Sequence, residues 1–166
     1  LKKAILKKEK ALGDQLKTGR THLMDAMPLS FAQELSGWRA QITLAINRII
    51  DSQKRLSQIA QGGTAVGTGV NAPANFADLF AEQISALSGI KFCTADNLFA
   101  AISTQDTAVE VSGQLKTLAV ALLKIANDLR WMNSGPLAGL AEINLRPLQH
   151  GSSIMPGKIN PVLPEA

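Results

Sequence analysis

The 166 residues include 46% hydrophobic side chains and carry a formal net charge of +4, a composition that supports a buried core and argues against a disordered chain. Five of the 17 Lys and Arg residues fall within residues 1–10, and the chain has no Tyr to stack bases, so its basic charge does not indicate a nucleic-acid-binding protein. Cys93 is the only cysteine, which excludes an internal disulfide and favours a reducing compartment such as the cytoplasm.

The longest apolar stretch, residues 118–123, is bracketed by charged residues and is far shorter than a membrane span. We therefore expect a soluble protein. The chain begins at Leu1 rather than Met, and it stops at Ala166 directly after its last motif. These two ends lead us to expect a fragment of a longer polypeptide.

Apolar residues at helical spacing run through the chain and strand signals are nearly absent, which predicts an all-α protein with few or no strands. The first predicted helix spans residues 1–16, where Leu and Ile recur among lysines. Gly19 is suited to the left-handed turn that stops a helix. Residues 21–28 are predicted to form a polar loop before the next helix.

Capping and turn residues delimit the next segments. Ser30 and Gln33 fit a capping box, so a second helix is predicted to begin there and to run to about residue 60. The glycine-rich loop at 62–73 could turn backbone amides toward an anion or could be a plain connection, and its spacing fits neither a nucleotide fingerprint nor a phosphate loop. A shorter helix is predicted over residues 75–88, with the next glycine as its stop.

The pattern from residue 98 to residue 132 is helical throughout and predicts a helix about 50 Å long. Its middle is apolar almost all round, so it needs cover on every side. A compact domain of this size has a radius of gyration of only about 15 Å. We therefore expect this helix to pack against other chains.

The closing segment, residues 151–166, contains Gly and Pro residues that prevent a continuous helix or a central strand, so it is predicted to be a loop. Lys158 and Asn160 can together hold a carboxylate, and Ser153 can donate a third hydrogen bond. These residue types predict an anion-binding loop that carries a nucleophile or base, Ser152. A surface connector is the alternative.

His22 and His150 are the only histidines. A lone His in a polar loop is commonly a solvated bystander, but Thr21 beside His22 could bind an anion and Glu165 could orient its ring. We expect His150 to be a surface residue. One Cys and two distant His residues make no metal-ligand pattern, so no metal site is expected.

The motif Gly-Ser-Ser-Ile-Met-Pro-Gly-Lys-Ile-Asn-Pro at 151–161, with Glu165 seven residues after Lys158, resembles the signature loop of the fumarase/aspartase superfamily, and most closely that of class II fumarases. Further segments similar to that family lie in the same order at 19–26, 62–69, 124–131 and 134–136. The resemblance implies that residues 1–166 are part of a long-helix central domain that carries the active site and forms a tetramer, with the N-terminal and C-terminal domains absent from this chain.

The resemblance also implies the roles of the site residues. Ser152 is expected to be the base that removes the proton next to a carboxylate, and His22 the other acid/base group. Glu165 is expected to pair with His22 of a neighbouring subunit. The implied carboxylate donors are Thr21, Ser153, Lys158, Asn160 and a backbone amide near Ile159.

The implied reaction is the reversible hydration of fumarate to (S)-malate without metal or organic cofactor, in a homotetramer whose active sites are shared between subunits. Aspartate ammonia-lyases of the same superfamily are similar around residues 141–145, but they typically have Gln where His22 stands and Ala where Gly157 stands. A non-catalytic helical assembly unit is the other alternative, because the family also needs a Ser-Ser-Asn segment that would lie upstream of Leu1. We expect the 166 residues alone to be inactive.

Overall fold

The computed structural model describes residues 1–149 and 151–166, so His150 lies outside the described residues. The helices of the described residues are α1 Lys2–Leu12, α2 Phe31–Leu56, α3 Phe76–Ser88, α4 Leu98–Ser103, α5 Asp106–Met132 and α6 Val162–Glu165. The strands are β1 Leu16–Thr21, β2 Met24–Ser30, β3 Gln58–Ile59 and β4 Cys93–Thr94. The prediction of a mainly helical protein with few strands is confirmed.

The chain divides into two compact units. The first unit combines Leu1–Leu44 with Leu118–Ala166, and the second is Ala45–Thr117. The core of the first unit consists of buried side chains from α1, α2 and α5, namely Ile5, Leu35, Trp38, Ile42, Ile125 and Met132. All of the predicted site residues belong to this first unit.

The first predicted helix is shorter than expected, since α1 ends at Leu12. Gly13 ends it with a φ of 50° and donates its amide to the carbonyl of Glu9 at 3.0 Å. The prediction that Gly19 stops the helix is therefore wrong. Gly19 lies in β1, where a Cβ atom would come within 2.3 Å of the carbonyl oxygen of Met27. Only glycine allows the two strands to approach so closely there.

The polar loop predicted over residues 21–28 is an antiparallel hairpin instead. β1 pairs with β2 so that Leu16 faces Ser30 and Thr21 faces Met24. Most of its large apolar residues point outward, with Leu16 74% exposed and Met27 81% exposed, while Leu29 is half-buried. Strands whose apolar side chains are mostly exposed show no clear alternation of apolar and polar residues, so no strand was predicted here.

The predicted capping box at the start of α2 is confirmed. The amide of Ser30 donates to Gln33 Oε1 at 2.9 Å, and the amide of Gln33 donates to Ser30 Oγ at 3.1 Å. α2 ends at Leu56, a few residues before the predicted end, because Ile59 belongs to β3. β3 pairs in parallel with β4 in the second unit.

The second unit also contains the glycine-rich loop and α3. α3 ends as predicted, at Gly89, whose φ of 70° is left-handed. In the loop, the amides of Gly67 and Gly69 both donate to the carbonyl of Gly63, at 2.9 and 3.2 Å. These amides are occupied by the loop's own backbone, which favours the plain connection over the anion-binding interpretation.

The prediction of one continuous helix over residues 98–132 is wrong, because α4 ends at Ser103 and Thr104 is extended, with φ −134° and ψ 166°. At the end of α4 the carbonyl of Ala100 accepts from the hydroxyl of Ser103 at 3.1 Å and from the amide of Thr104 at 3.3 Å. α5 is about 40 Å long, and Val120 and Leu123 on it are 59% and 62% exposed. No helix within the described residues is long and apolar enough to cross a membrane.

Candidate active site

His22 lies at the tip of the β1–β2 hairpin. His22 and Leu23 are the two turn residues, with φ values of 53° and 62°. Two successive left-handed residues are typical of the type I′ turn, whose twist matches that of the flanking strands. Thr21 and His22 are both exposed. The hairpin therefore presents the hydroxyl and the imidazole together at a protruding turn.

Four charged side chains form ion pairs beneath this hairpin. Lys17 on β1 pairs with Glu34, and its Nζ lies 3.2 Å from Glu142 Oε2. Arg20 Nη1 donates to Glu142 Oε1 at 3.0 Å. Lys17 and Glu142 were not singled out by the sequence, because their partners are far away along the chain and no local spacing marks them.

An open cleft of about 780 Å³ adjoins the hairpin. Arg20, Thr21 and His22 line one side of it, and Lys124 and Trp131 of α5 line another. No residue from 151 to 166 lines this cleft. The hairpin and the closing segment thus contribute to different clefts within the described part of the chain.

The closing segment forms a loop that is fastened at both ends. Asn160 Nδ2 donates to the carbonyl of Gly151 at 2.6 Å. A Cβ atom on Gly151 would lie 2.4 Å from the backbone nitrogen of Asn160, so only glycine permits this approach. The prediction of a loop is confirmed for residues 151–161, and it is wrong for Val162–Glu165, which form the short helix α6.

Ser152 Oγ accepts hydrogen bonds from two amides of the same loop. The nitrogen of Ile154 lies at 3.3 Å and that of Met155 at 3.1 Å. Donors aimed at a hydroxyl oxygen favour its deprotonated form, because they stabilise the negative charge that forms. These two bonds fix the position of Ser152 Oγ within the loop.

The carboxylate-binding candidates lie along the same loop. Ser153, Lys158 and Ile159 are exposed. Lys158, Ile159 and Asn160 line an open cleft of about 580 Å³ together with residues of the α5 end. Ser152 shares a second, neighbouring cleft of about 730 Å³ with Lys158 and Ile159. One ammonium group thus borders both clefts.

Glu165 lies on α6 and lines the 580 Å³ cleft together with Lys158 and Asn160. Its Oε1 accepts a hydrogen bond from Arg130 Nη2 at 3.0 Å. Arg130 in turn donates to Asn127 Oδ1 at 3.2 Å. Sequence reasoning missed Arg130 as a partner of Glu165, because 35 positions separate them. The expected pairing of Glu165 with His22 stays a prediction that concerns two subunits.

The structure therefore places Lys158 in one cleft with Asn160 and Glu165 and in a second cleft with Ser152. His22 lines a third cleft of the same unit. Within residues 1–149 and 151–166, no group of three His, Cys, Asp or Glu side chains is arranged to hold a metal ion. The chemistry that these groups can perform is proton transfer beside a bound anion.

The family model for lyases matches residues 1–166. The chain belongs to the lyase family. This lyase chain is 60% identical over all 166 residues to a class II fumarate hydratase of Xylella fastidiosa strain Temecula1, covering 35% of that protein. It is 58% identical over 166 residues to class II fumarate hydratase 2 of Pseudomonas aeruginosa, covering 36% of it. The lyase chain thus spans about a third of the length of these curated relatives.

Two solved structures resemble the chain over nearly its whole length. A class II fumarase from Schistosoma mansoni has a TM-score of 0.96 at 35% identity, over 99% of this chain and 37% of that one. A fumarate lyase:delta crystallin from Brucella melitensis bound to cobalt has a TM-score of 0.92 at 40% identity, over 99% of this chain and 36% of that one. The predicted long-helix fold of the fumarase type is therefore confirmed.

Proposed function

We propose that the intact protein catalyses the reversible hydration of fumarate to (S)-malate, with Ser152 and His22 as its two acid/base groups. The observation that carries this proposal is the pair of amides, from Ile154 and Met155, that donate to Ser152 Oγ. A free Ser hydroxyl is a poor base, and these donors favour its alkoxide. The similarity of the whole chain to class II fumarate hydratases supports this reaction.

In the dehydration direction, the Ser152 alkoxide takes a proton from C3 of malate, and the electron pair passes into the adjacent carboxylate. The resulting aci-carboxylate carries two negative charges. When it collapses to the double bond, the C2 hydroxyl leaves as water after taking a proton from His22. The carbon acid is very weak, so the protein must stabilise the charged intermediate more than the substrate.

The donors for that charge are proposed to be Lys158, Asn160, Ser153 and Thr21, with the backbone amide of Ile159. Lys158 supplies a point charge on the border of two clefts, and Asn160 supplies a directional donor. Each oxygen of a dicarboxylate can accept from such groups. The proposed mechanism uses no metal and no organic cofactor.

The active site is proposed to be shared between copies in a homotetramer. Thr21 and His22 line one cleft and the Ser152 loop lines others, so the two parts meet when chains associate. Glu165 then pairs with His22 of a neighbouring subunit. The exposed apolar residues of α5, such as Val120 and Leu123, support a helical assembly through this central domain.

The test is an ultraviolet assay of the intact protein, in which the absorbance of the fumarate double bond disappears as malate forms. Loss of fumarate in the presence of water alone supports the proposal, and release of ammonia from aspartate instead supports the ammonia-lyase alternative. Purified residues 1–166 are expected to show no turnover, and activity of that chain alone contradicts the shared site. Light scattering of the intact protein tests the tetramer.

A further inference from the structure

Glu142 lies at a junction of charged side chains beneath the His22 hairpin. Its side chain is 11% exposed, and Oε1 accepts from Arg20 Nη1 at 3.0 Å. Its Oε2 is buried 3.2 Å from Lys17 Nζ, although no donor among the described residues makes a well-aligned hydrogen bond to it. The contact with Lys17 is therefore mainly coulombic. Two cations of β1 are thus held by one carboxylate.

The backbone around Glu142 is fastened to the end of α5. The amides of Glu142 and Ile143 both donate to the carbonyl of Met132, at 2.8 and 3.1 Å. The amide of Leu145 donates to Asn133 Oδ1 at 2.8 Å. Glu142 is therefore held in a fixed position relative to α5. Its carboxylate contacts Arg20 and Lys17 of β1, so the hairpin is held relative to α5 as well.

The same end of α5 borders the cleft of the closing loop. Asn133 lines that cleft together with Lys158 and Asn160. Arg20, at the other end of this series of contacts, precedes His22 by two positions on the hairpin. Arg20 also faces Asp25 across the hairpin, one pair before the turn, so a displacement of Arg20 carries the turn with it.

We propose that Glu142 is a positioning residue. It fixes the hairpin that carries His22 to the end of α5, which borders the 580 Å³ cleft lined by Lys158 and Asn160. The inference rests on the proposed function for its effect on turnover. Neutralising Glu142 removes the ion pairs of Lys17 and Arg20 with this carboxylate, which leaves Lys17 with Glu34 and Arg20 with Asp25 of the hairpin itself, at 3.9 Å. The charged link between the hairpin and the end of α5 is then lost, so the hairpin moves relative to α5. A displacement of a reacting group by about 1 Å costs about 10²-fold in rate.

The experiment compares Glu142→Gln with Glu9→Gln in the intact protein. Glu9 accepts hydrogen bonds from Arg39 at 2.7 and 3.2 Å in the same unit, so its variant loses a comparable ion pair away from the hairpin. We expect Glu142→Gln to lower kcat about 10²-fold with a much smaller change in KM, because Lys158 still holds the substrate. Glu9→Gln is expected to keep kcat.

Hydrogen exchange of the hairpin amides provides a readout that does not depend on activity. Exchange at Thr21 to Met24 is expected to be faster in Glu142→Gln and unchanged in Glu9→Gln. If Glu142→Gln does not fold, Arg20→Gln is the second variant. It removes the ion pair between Arg20 and Glu142 and leaves Glu142 paired with Lys17. We expect the same faster exchange and the same fall in kcat for this variant.

The inference is overturned if the hydrogen exchange of the hairpin amides is unchanged in these variants. It is also overturned if this exchange is faster while kcat is unaltered. If the unaltered protein does not hydrate fumarate, the proposed function fails. Faster exchange in Glu142→Gln then still supports the placement of the hairpin by Glu142. The two failures are therefore distinguishable.

Discussion

Asn160 closes the loop at residues 151–161 by donating from Nδ2 to the carbonyl oxygen of Gly151 at 2.6 Å. A carboxamide has two N–H groups and one carbonyl oxygen, so this bond uses one donor and leaves the other for a bound anion. Asn160 can therefore shape the loop and hold a substrate carboxylate at the same time. Lys158, with its rotating ammonium group, cannot fix the loop in this directional way.

We predict that Asn160→Asp lowers kcat/KM about 10- to 100-fold, the loss expected when a hydrogen bond to a charged group is removed. The new carboxylate cannot donate to Gly151, and it repels a substrate carboxylate. Steady-state kinetics of fumarate hydration measure this loss. Faster hydrogen exchange at the amides of Ile154 and Met155 should accompany it, and unaltered exchange would show that the loop does not depend on this bond.

His22→Asn should lower kcat about 10²- to 10⁴-fold, as removal of an acid/base group commonly does. Asn is the appropriate replacement because it tolerates the left-handed φ of 53° at this position better than most residues. An unaffected kcat rules His22 out as an acid/base group.

Leu23→Gly is the matched control at the same turn. Leu23 has a φ of 62°, a conformation that costs a non-glycine residue roughly 1–2 kcal/mol. The glycine variant should keep its activity and unfold at a slightly higher temperature. A loss of activity here would show that the turn's side chains, rather than the imidazole alone, control turnover.

Gly19→Ala is expected to destabilise the intact protein by about 1–3 kcal/mol, because the added methyl group overlaps the backbone carbonyl of Met27. Gly37→Ala is its control, since a Cβ at Gly37 in α2 meets no atom within 4 Å. Alanine there should stabilise the helix by roughly 0.5–1 kcal/mol. Thermal unfolding of the two variants measures the contrast, and equal midpoints would contradict the close approach of the two strands.

The pair of Glu9 and Arg39 predicts a stability that depends on pH. The hydrogen bonds from Arg39 lower the pKa of Glu9 below its ordinary value of 4.5, against a smaller opposing effect of burial. A lowered pKa in the folded state contributes stability above pH 4.5 that is lost as the pH falls through the folded-state pKa. Glu9→Gln should therefore lower the melting temperature at neutral pH and lose this deficit at an acidic pH below the folded-state pKa of Glu9. A deficit that is the same at both pH values would contradict the prediction.

The sequence predicted those features that depend on neighbouring residues. Ser30 and Gln33 are three positions apart, and Gly89 directly follows its helix, so local chemistry alone determines both caps. The break at Thr104 was missed because no Pro or Gly marks it and the helical pattern of apolar residues continues on both sides. The hairpin was missed because its large side chains point into solvent.

In the candidate site, too, the sequence predicted what depends on neighbouring residues and missed what depends on contacts between distant positions. The residue types of the closing loop were sufficient to identify Ser152, Lys158 and Asn160 as candidates. The contacts of Arg130 with Glu165 and of Arg20 with Glu142 join positions 35 and 122 residues apart. Such contacts depend on packing, which no single-sequence spacing encodes.

The capping box has a further consequence for the hairpin, because Ser30 is both the last residue of β2 and the cap of α2. At the other end, the carbonyls of Gly13 and Gln15 accept hydrogen bonds from the amides of Ala32 and Phe31. The segment between the two helices is therefore fixed at both ends. Related proteins that keep a histidine at this turn should show almost no variation in the length of the segment, even where its residues differ.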